Sequence, residues 1–231
     1  LSSGFKPSAS GWLTDLCVSG STYNLAETDI STEAEQPARG AGALAALTEA
    51  DFLTAFPDAA NPLDPEMALP LLADRLGRAL PTFLDCGALA VGRDIRESGP
   101  ELHEAFVNGL MSAGCDVHDL GICTTGALYS ATANLDVDGG VMITASHNPP
   151  EYNGFKMCRG TAAMAGAEIQ ELRAVFEAGD FRTGEGIHID AGDFPSTTYM
   201  KDVIEKAGLP SRTVKVVLDC ANAVPGPFMV D

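Results

Sequence analysis

Aromatic residues are scarce in this chain, at 6% with a single tryptophan, and cations are few beside anions. Fourteen Lys and Arg face 32 Asp and Glu, a formal net charge of −18. Such a field repels nucleic acid, whose binding rests largely on phosphate neutralisation, so no nucleic-acid partner is expected. It also repels a phosphorylated small molecule, and any phosphate site must be built locally. Long hydrophobic runs are missing. The most apolar stretches, ALAVG at 88–92 and VKVVL at 214–218, have strand length, far below the roughly 18 residues of a membrane span. No membrane association is expected. Neither CxxC nor HExxH occurs, which leaves the common thiolate and imidazole metal sites without support. The six cysteines (Cys17, Cys86, Cys115, Cys123, Cys158 and Cys220) are scattered. They read as small buried thiols in a reducing compartment rather than a disulfide framework. The cytoplasm is the expected compartment, with an organellar stroma as the alternative.

What is present is an α/β pattern. Hydrophobic residues make up 45% of 231 positions, enough for one large domain or one domain and part of another. Residues 1–40, rich in Ser, Thr, Gly and Ala, lack sustained periodicity and read as a poorly ordered leader. The chain opens with Leu1, and residues 1–10 lack the basic-then-apolar order of a signal peptide, so a fragment or processed product is expected. Thr48 is placed to cap a segment containing Phe52, Leu53 and Phe56. Asp64-Pro65-Glu66 marks the start of a helix whose apolar face runs from Met67 to Leu80, with Pro81 as its stop. From residue 86 strand and helix alternate. ALAVGRD is followed by Ser98-Gly99-Pro100-Glu101, which has capping-box spacing, and then by a helix carrying Leu102, Phe106 and Leu110. CDVHDLGI (115–122), GALYSATANL (126–135), VMIT (141–144), GFKM and an amphipathic stretch from Glu168 to Phe176 continue the series.

The pattern predicts a mainly parallel, mixed sheet with helices on both faces over residues 41–185. GDFRTGEG (179–186) reads as a linker. Residues 186–231, with a helix at 197–207 and the strand VKVVLDC, read as the truncated start of a second, similar α/β domain.

The stretch VMITASHNPPEYNGFKM (141–157) carries the chemistry. Ser146 follows the carboxyl end of an apolar strand, where open α/β sheets place their ligand sites. Its surroundings are not GxSxG, so a hydrolase elbow is not supported. His147 is adjacent, and neighbours on extended chain point to opposite sides. It is therefore expected to be a poor base for Ser146 but a good donor to an anion. Asn148, Asn153 and Gly154 suit tight turns, and Pro149-Pro150 stiffen the crossing. Lys156, on the returning strand, is placed as a cation or as a general acid/base if its pKa is lowered. A plain surface turn with a capping serine and a solvated lysine is the bland alternative.

TASHNPPEYNGFK resembles the active-site serine loop of the α-D-phosphohexomutase superfamily, in its phosphomannomutase/phosphoglucomutase branch. The resemblance runs from about Leu84 to Val224 and includes VGRDIRESGPEL (91–102) and VKVVLDCANAVPGPF. It implies a phosphosugar mutase, an isomerase of carbohydrate metabolism that works as an intramolecular phosphotransferase on a hexose 1- or 6-phosphate of mannose or glucose. Ser146 would carry the phosphoryl group, and a bisphosphate of the glucose 1,6-bisphosphate type would be intermediate and activator. It further implies Mg²⁺ bound through phosphorylated Ser146 and three aspartates. His147 and Asn148 would contact substrate phosphate, and Lys156 would bind substrate and act as general acid/base. Arg93 and Asp94 would brace the loop. The family's aspartate-rich metal loop, of DGDxDR type, does not occur before Asp231, so this chain alone is expected to be inactive. The alternatives are a non-catalytic, phosphorylatable binding or regulatory module and a serine hydrolase. Which hexose phosphate and which oligomeric state are not specified by these motifs.

Overall fold

The computed structural model describes residues 65–148, 152–208, 213, 215–221 and 223–226. The leader at 1–40, the Thr48 segment, Asp64 and the Pro149-Pro150 pair lie outside the described residues. The elements are α1 (Pro65–Leu84), β1 (Ala88–Arg93), α2 (Gly99–Ser112), β2 (Asp116–Ile122), α3 (Thr125–Asn134), β3 (Gly139–Ile143), β4 (Phe155–Arg159), β5 (Ala162–Ala163), α4 (Ala167–Ala178), β6 (His188–Asp190) and α5 (Met200–Ala207). A π-helical turn, Pro195–Tyr199, leads into α5.

The strands form one sheet in the order β5-β4-β3-β1-β2-β6. β1 pairs in parallel with β2 and β3, and β2 with β6, while β3–β4 and β4–β5 are antiparallel. The expected mixed α/β sheet is thus present. Alternation of side chains across the strands separates two cores. On one face Leu89, Val91, Val117, Val141, Ile143, Phe155 and Met157 pack under α1, α2 and α4. On the other, Ala90, Leu120 and Met142 pack under α3, with Phe194 beside them.

α1 does not stop at Pro81 but runs through it to Leu84. Proline removes one N–H bond near the end of a helix, and the packing of Phe83 and Leu84 against the first core outweighs that loss. α1 and α2 cross at Gly77 and Gly109. A β-carbon on Gly77 would collide with the Phe106 carbonyl, and one on Gly109 with the Asp74 carbonyl. Backbone meets backbone there, so no rotamer change relieves the clash.

The Ser98–Glu101 capping box does not form. Ser98 sits at the cap of α2 without a side-chain cap bond, because its hydroxyl instead accepts from Asn153 Nδ2 at 3.0 Å. Thr124 does cap α3, accepting from Ala127 N at 3.2 Å.

The segment 179–186 is a strap fastened across the amino ends of β1 and β2, not a free linker. Gly179, left-handed at φ 71°, ends α4. Arg182 Nε then donates to Ala113 O at 2.7 Å, and Arg182 Nη2 donates to Cys86 O. Gly184 N and Gly186 N donate to Ser112 O and Met111 O at 3.0 and 2.8 Å. The strap delivers β6 parallel to β2, so the sheet extends past residue 185. The VKVVL segment forms no strand among its described residues. Val216, Val217 and Leu218 are exposed.

Asp119, on β2, ties three elements together. Its two oxygens contact His103 Nε2 of α2 and His188 Nε2 of β6, each at 2.9 Å, and Gly121 N donates to it at 2.8 Å. Burial by itself raises this carboxyl, but the His103 contact, followed by the His188 and Gly121 bonds, outweighs it and holds Asp119 well below the usual range.

Gly109→Ala is expected to cost about 1–3 kcal/mol, read from the urea midpoint, and an unchanged midpoint would contradict the backbone contact. Because the Asp119 carboxyl is depressed in the fold, its contribution is present above about pH 4 and lost as pH falls further. The stability gap between wild type and Asp119→Asn should therefore close as the pH is taken below about 4.

Candidate active site

The carboxyl ends of β1 and β3 meet where two loops are laced together. The β1–α2 loop supplies Asp94 and Arg96, and the β3–β4 loop supplies Thr144, Ser146, His147 and Asn148. Asp94 Oδ1 accepts from Arg96 N at 3.0 Å, and Asp94 Oδ2 from Arg96 Nε at 3.1 Å and Thr144 Oγ1 at 2.7 Å. Arg96 then reaches across to the serine loop. Nη1 donates to Tyr152 O at 3.0 Å, and Nη2 to Ser146 O and Asn148 O at 3.1 and 2.9 Å. One planar guanidinium thus fixes three backbone carbonyls of the loop.

Ser146 stands exposed at the apex. Its φ is +56°, the left-handed region that a non-glycine residue enters at a cost. The bend is held from both sides. Ser146 N donates to Thr144 Oγ1 at 3.0 Å, and Asn148 N closes the turn onto Ala145 O at 3.0 Å. Extended geometry would separate Ser146 from His147; the left-handed bend brings Ser146 Oγ to 3.0 Å from His147 Nδ1. The expectation that the two side chains point apart is therefore corrected. Both are open to solvent.

Lys156 lies on β4 opposite Met142 of β3, so it shares Met142's face of the sheet. It is 3% exposed. Burial lowers its pKa from the ordinary lysine value, while the Asp94 carboxylate opposes the shift. The bland alternative of a solvated lysine does not hold. Asn148 presents its backbone carbonyl to Arg96. Asn153 is buried, bracing the loop through Ser98 Oγ and through Gly154 N, which donates to Asn153 Oδ1 at 2.9 Å. Beneath the site, Cys123 is fully buried against Gly92, where a β-carbon would meet its sulfur, and burial pushes its thiol up to about 12.

Arg93 donates to Asp94 O at 3.1 Å, in keeping with a bracing place. Arg96 and Thr144 were not singled out from the sequence. The one signal available was RDIR, which sets a carboxylate and a guanidinium two residues apart in a strand-to-helix loop.

The described residues do not complete a magnesium site. No group of three His, Cys, Asp or Glu among them could hold a metal ion, and Asp94, the carboxylate tied to the serine loop, is occupied by Arg96 and Thr144. Mg²⁺ needs near-octahedral oxygen ligation, which a phosphorylated Ser146 by itself would not supply.

The family described as "Phosphoglucomutase/phosphomannomutase, alpha/beta/alpha domain I" matches residues 61–183. A phosphomannomutase/phosphoglucomutase from Pseudomonas aeruginosa is 41% identical over 138 residues, covering 60% of this chain and 29% of the relative. A phosphoglucomutase from Neisseria gonorrhoeae is 41% identical over 140 residues, covering 61% and 30%. A "Probable phosphoglucosamine mutase" from Methanopyrus kandleri is 35% identical over 168 residues, covering 71% and 37%. The chain thus spans between 29% and 37% of the length of these relatives. A solved phosphoglucomutase/phosphomannomutase family protein from Burkholderia thailandensis aligns at 39% identity and a TM-score of 0.49, over 52% of this chain and 29% of its own.

The left-handed Ser146 predicts that Ser146→Gly is more stable than Ser146→Ala by about 1 kcal/mol, the reverse of the usual order; calorimetry of the two variants decides it. Arg96→Ala should speed amide hydrogen exchange at 146–148 well beyond any change in global stability. Exchange that rises only with global unfolding would deny the clamp.

Proposed function

Because the chain belongs to the phosphoglucomutase/phosphomannomutase family, matching its domain I over residues 61–183, we propose that Ser146 is the phosphoryl carrier of a phosphosugar mutase. The substrates would be a hexose 1-phosphate and its 6-phosphate, and the reaction would pass through a bisphosphate. The observation that carries this reading is the exposed, left-handed Ser146 held by Arg96 at the carboxyl end of the sheet.

Phosphoryl transfer asks a protein chiefly to position groups and to answer charge. In the forward step the bond between phosphorus and Ser146 Oγ breaks. A bond forms from phosphorus to the free hydroxyl of the hexose phosphate, and that hydroxyl releases its proton. Lys156 is the acceptor favoured by its buried setting: desolvation lowers its pKa, so a neutral amine is more accessible to it than to a surface lysine. Ser146 Oγ is left needing a proton, and His147 Nδ1 is the nearest titratable atom to it, at 3.0 Å. In the reverse sense the same histidine takes the serine proton, or donates to the bound phosphoryl oxygens. The bisphosphate then turns end for end and returns its other phosphate to Ser146. Carboxylate ligands for a divalent cation would come from outside the described residues, and no step here is assigned to the ion.

The contact between Ser146 and His147 also fits a serine nucleophile of hydrolase type. Among the described residues, however, no carboxylate pairs with His147 to orient it. A fluorophosphonate should leave Ser146 unlabelled.

Incubating the full-length protein with glucose 1,6-bisphosphate should leave phosphate on Ser146, located by mass spectrometry. Phosphate on another residue, or on none, would sink the assignment. Ser146→Ala should abolish turnover, and Lys156→Ala should reduce kcat by about 10²–10⁴-fold. In the pH–rate profile, the limb belonging to Lys156 should lie below the ordinary lysine value near 10.4 and vanish in Lys156→Ala.

A further inference from the structure

The chain leaves the serine loop through Asn153-Gly154. In such a dipeptide the backbone nitrogen can attack the preceding carboxamide, because glycine has no side chain to hinder the approach. In the fold both residues are buried, and their polar groups are engaged. Gly154 N donates to Asn153 Oδ1 at 2.9 Å, and Asn153 Nδ2 donates to Ser98 Oγ at 3.0 Å. The flanking backbone is pinned as well. Tyr152 O accepts from Arg96 Nη1 at 3.0 Å, and Gly154 O accepts from Thr144 N at 2.8 Å. Ser98 makes no side-chain cap bond to α2, so its hydroxyl serves this carboxamide instead of the helix.

We propose that Asn153-Gly154 is a spontaneous deamidation site that the closed serine loop holds off, so that release of 152–154 commits position 153 to aspartate or isoaspartate.

The hydrogen bond from Gly154 N is the wrong approach for reaction. A donor to a carboxamide oxygen lies near the plane of that group, whereas a nucleophile reaches the carbonyl carbon from its face. Turning the carboxamide breaks its bond to Ser98, and turning the peptide breaks the bonds at Tyr152 O and Gly154 O. Once 152–154 comes away from Ser98 and Arg96, both rotations are free. Gly154 N then gives up its proton to water and bonds to Asn153 Cγ. The Cγ–Nδ2 bond breaks, and Nδ2 recovers a proton from water and leaves as ammonia, closing a succinimide. Water opens the ring, giving aspartate by attack at Cγ and isoaspartate by attack at the main-chain carbonyl. One water is consumed and one ammonia released. Isoaspartate carries its Cβ into the main chain just before Gly154. That extra carbon draws Gly154 O out of step with Thr144 N and disturbs the register of Phe155 with Ile143. Aspartate puts a carboxylate where an amide donated to Ser98.

The test incubates the folded full chain in mildly alkaline buffer over days. Peptide mapping reads exchange of NH for O at position 153, and a protein isoaspartyl methyltransferase scores isoaspartate. The same chain in denaturant sets the unprotected rate. The folded protein should react at least about tenfold more slowly, the protection given by a local opening free energy of about 1.4 kcal/mol. Urea below the global unfolding transition should accelerate wild type, and Ser98→Ala, still folded, should react faster than wild type. A folded wild type that reacts at the denatured rate, or that gains nothing from such urea, overturns the proposal. So does a folded Ser98→Ala with the wild-type rate. The two wild-type measurements decide the matter if Ser98→Ala does not fold.

Discussion

The Asp94 carboxylate is the constraint on which the candidate site depends. It receives the Arg96 backbone, the Arg96 guanidinium and the Thr144 hydroxyl, and so joins two loops that are fifty residues apart in sequence. The side chains of Asp94 and Arg96 are only 13% and 12% exposed. An ion pair at that depth escapes the screening that makes surface pairs worth little, and each hydrogen bond to a charged group contributes about 1.5–3 kcal/mol. Everything about Ser146 follows from this. Thr144, oriented by Asp94, accepts the Ser146 amide; Arg96, oriented by Asp94, holds the Ser146 carbonyl. A serine gripped at its amide and its carbonyl can be kept left-handed, and its hydroxyl then points to solvent beside an imidazole.

The same arrangement answers a problem of charge. A chain with a net charge of −18 offers no general attraction to an anion, so any anion site needs its cations concentrated locally. Arg96 is spent on backbone carbonyls and acts through position. Lys156 and His147 are the cations nearest the proposed chemistry, one buried within reach of the Asp94 field and one exposed beside Ser146. Burial of Lys156 is costly by itself. That cost is what lowers its proton affinity below that of a surface lysine.

Much of this was legible in the sequence, and the failures have a common cause. Strand and helix positions from Ala88 to Ala178 followed from periodicity, because burial on one face or both is imposed locally. The serine loop stood out through the resemblance of TASHNPPEYNGFK to a known active-site loop, not through composition alone. What could not be read were the side chains whose partners lie far along the chain. Ser98 has the spacing of a cap, yet Asn153, fifty-five residues on, takes its hydroxyl. Pro81 has the character of a helix stop, yet core contacts carry the helix past it. GDFRTGEG has a linker's composition, yet Arg182 finds carbonyls sixty-nine and ninety-six residues away. Ser146 and His147 were expected to diverge because the left-handed bend is imposed by Arg96 and Thr144, not by the dipeptide. Local pattern sets the elements, whereas long-range hydrogen bonds decide what the loops do.

The strap has a kinetic consequence as well. Its hydrogen bonds to Thr82, Cys86 and Ala113 close chain segments of 100, 96 and 69 residues, and none of those acceptors is in place until α1, β1 and α2 have assembled. Loop closure of that span comes late, since its entropy must be lost before the contacts form. β6 is therefore expected to join after the strands it extends, leaving the edge of β2 the longest uncovered. During folding, the vulnerable moment of this sheet is the interval in which β2 waits for its neighbour.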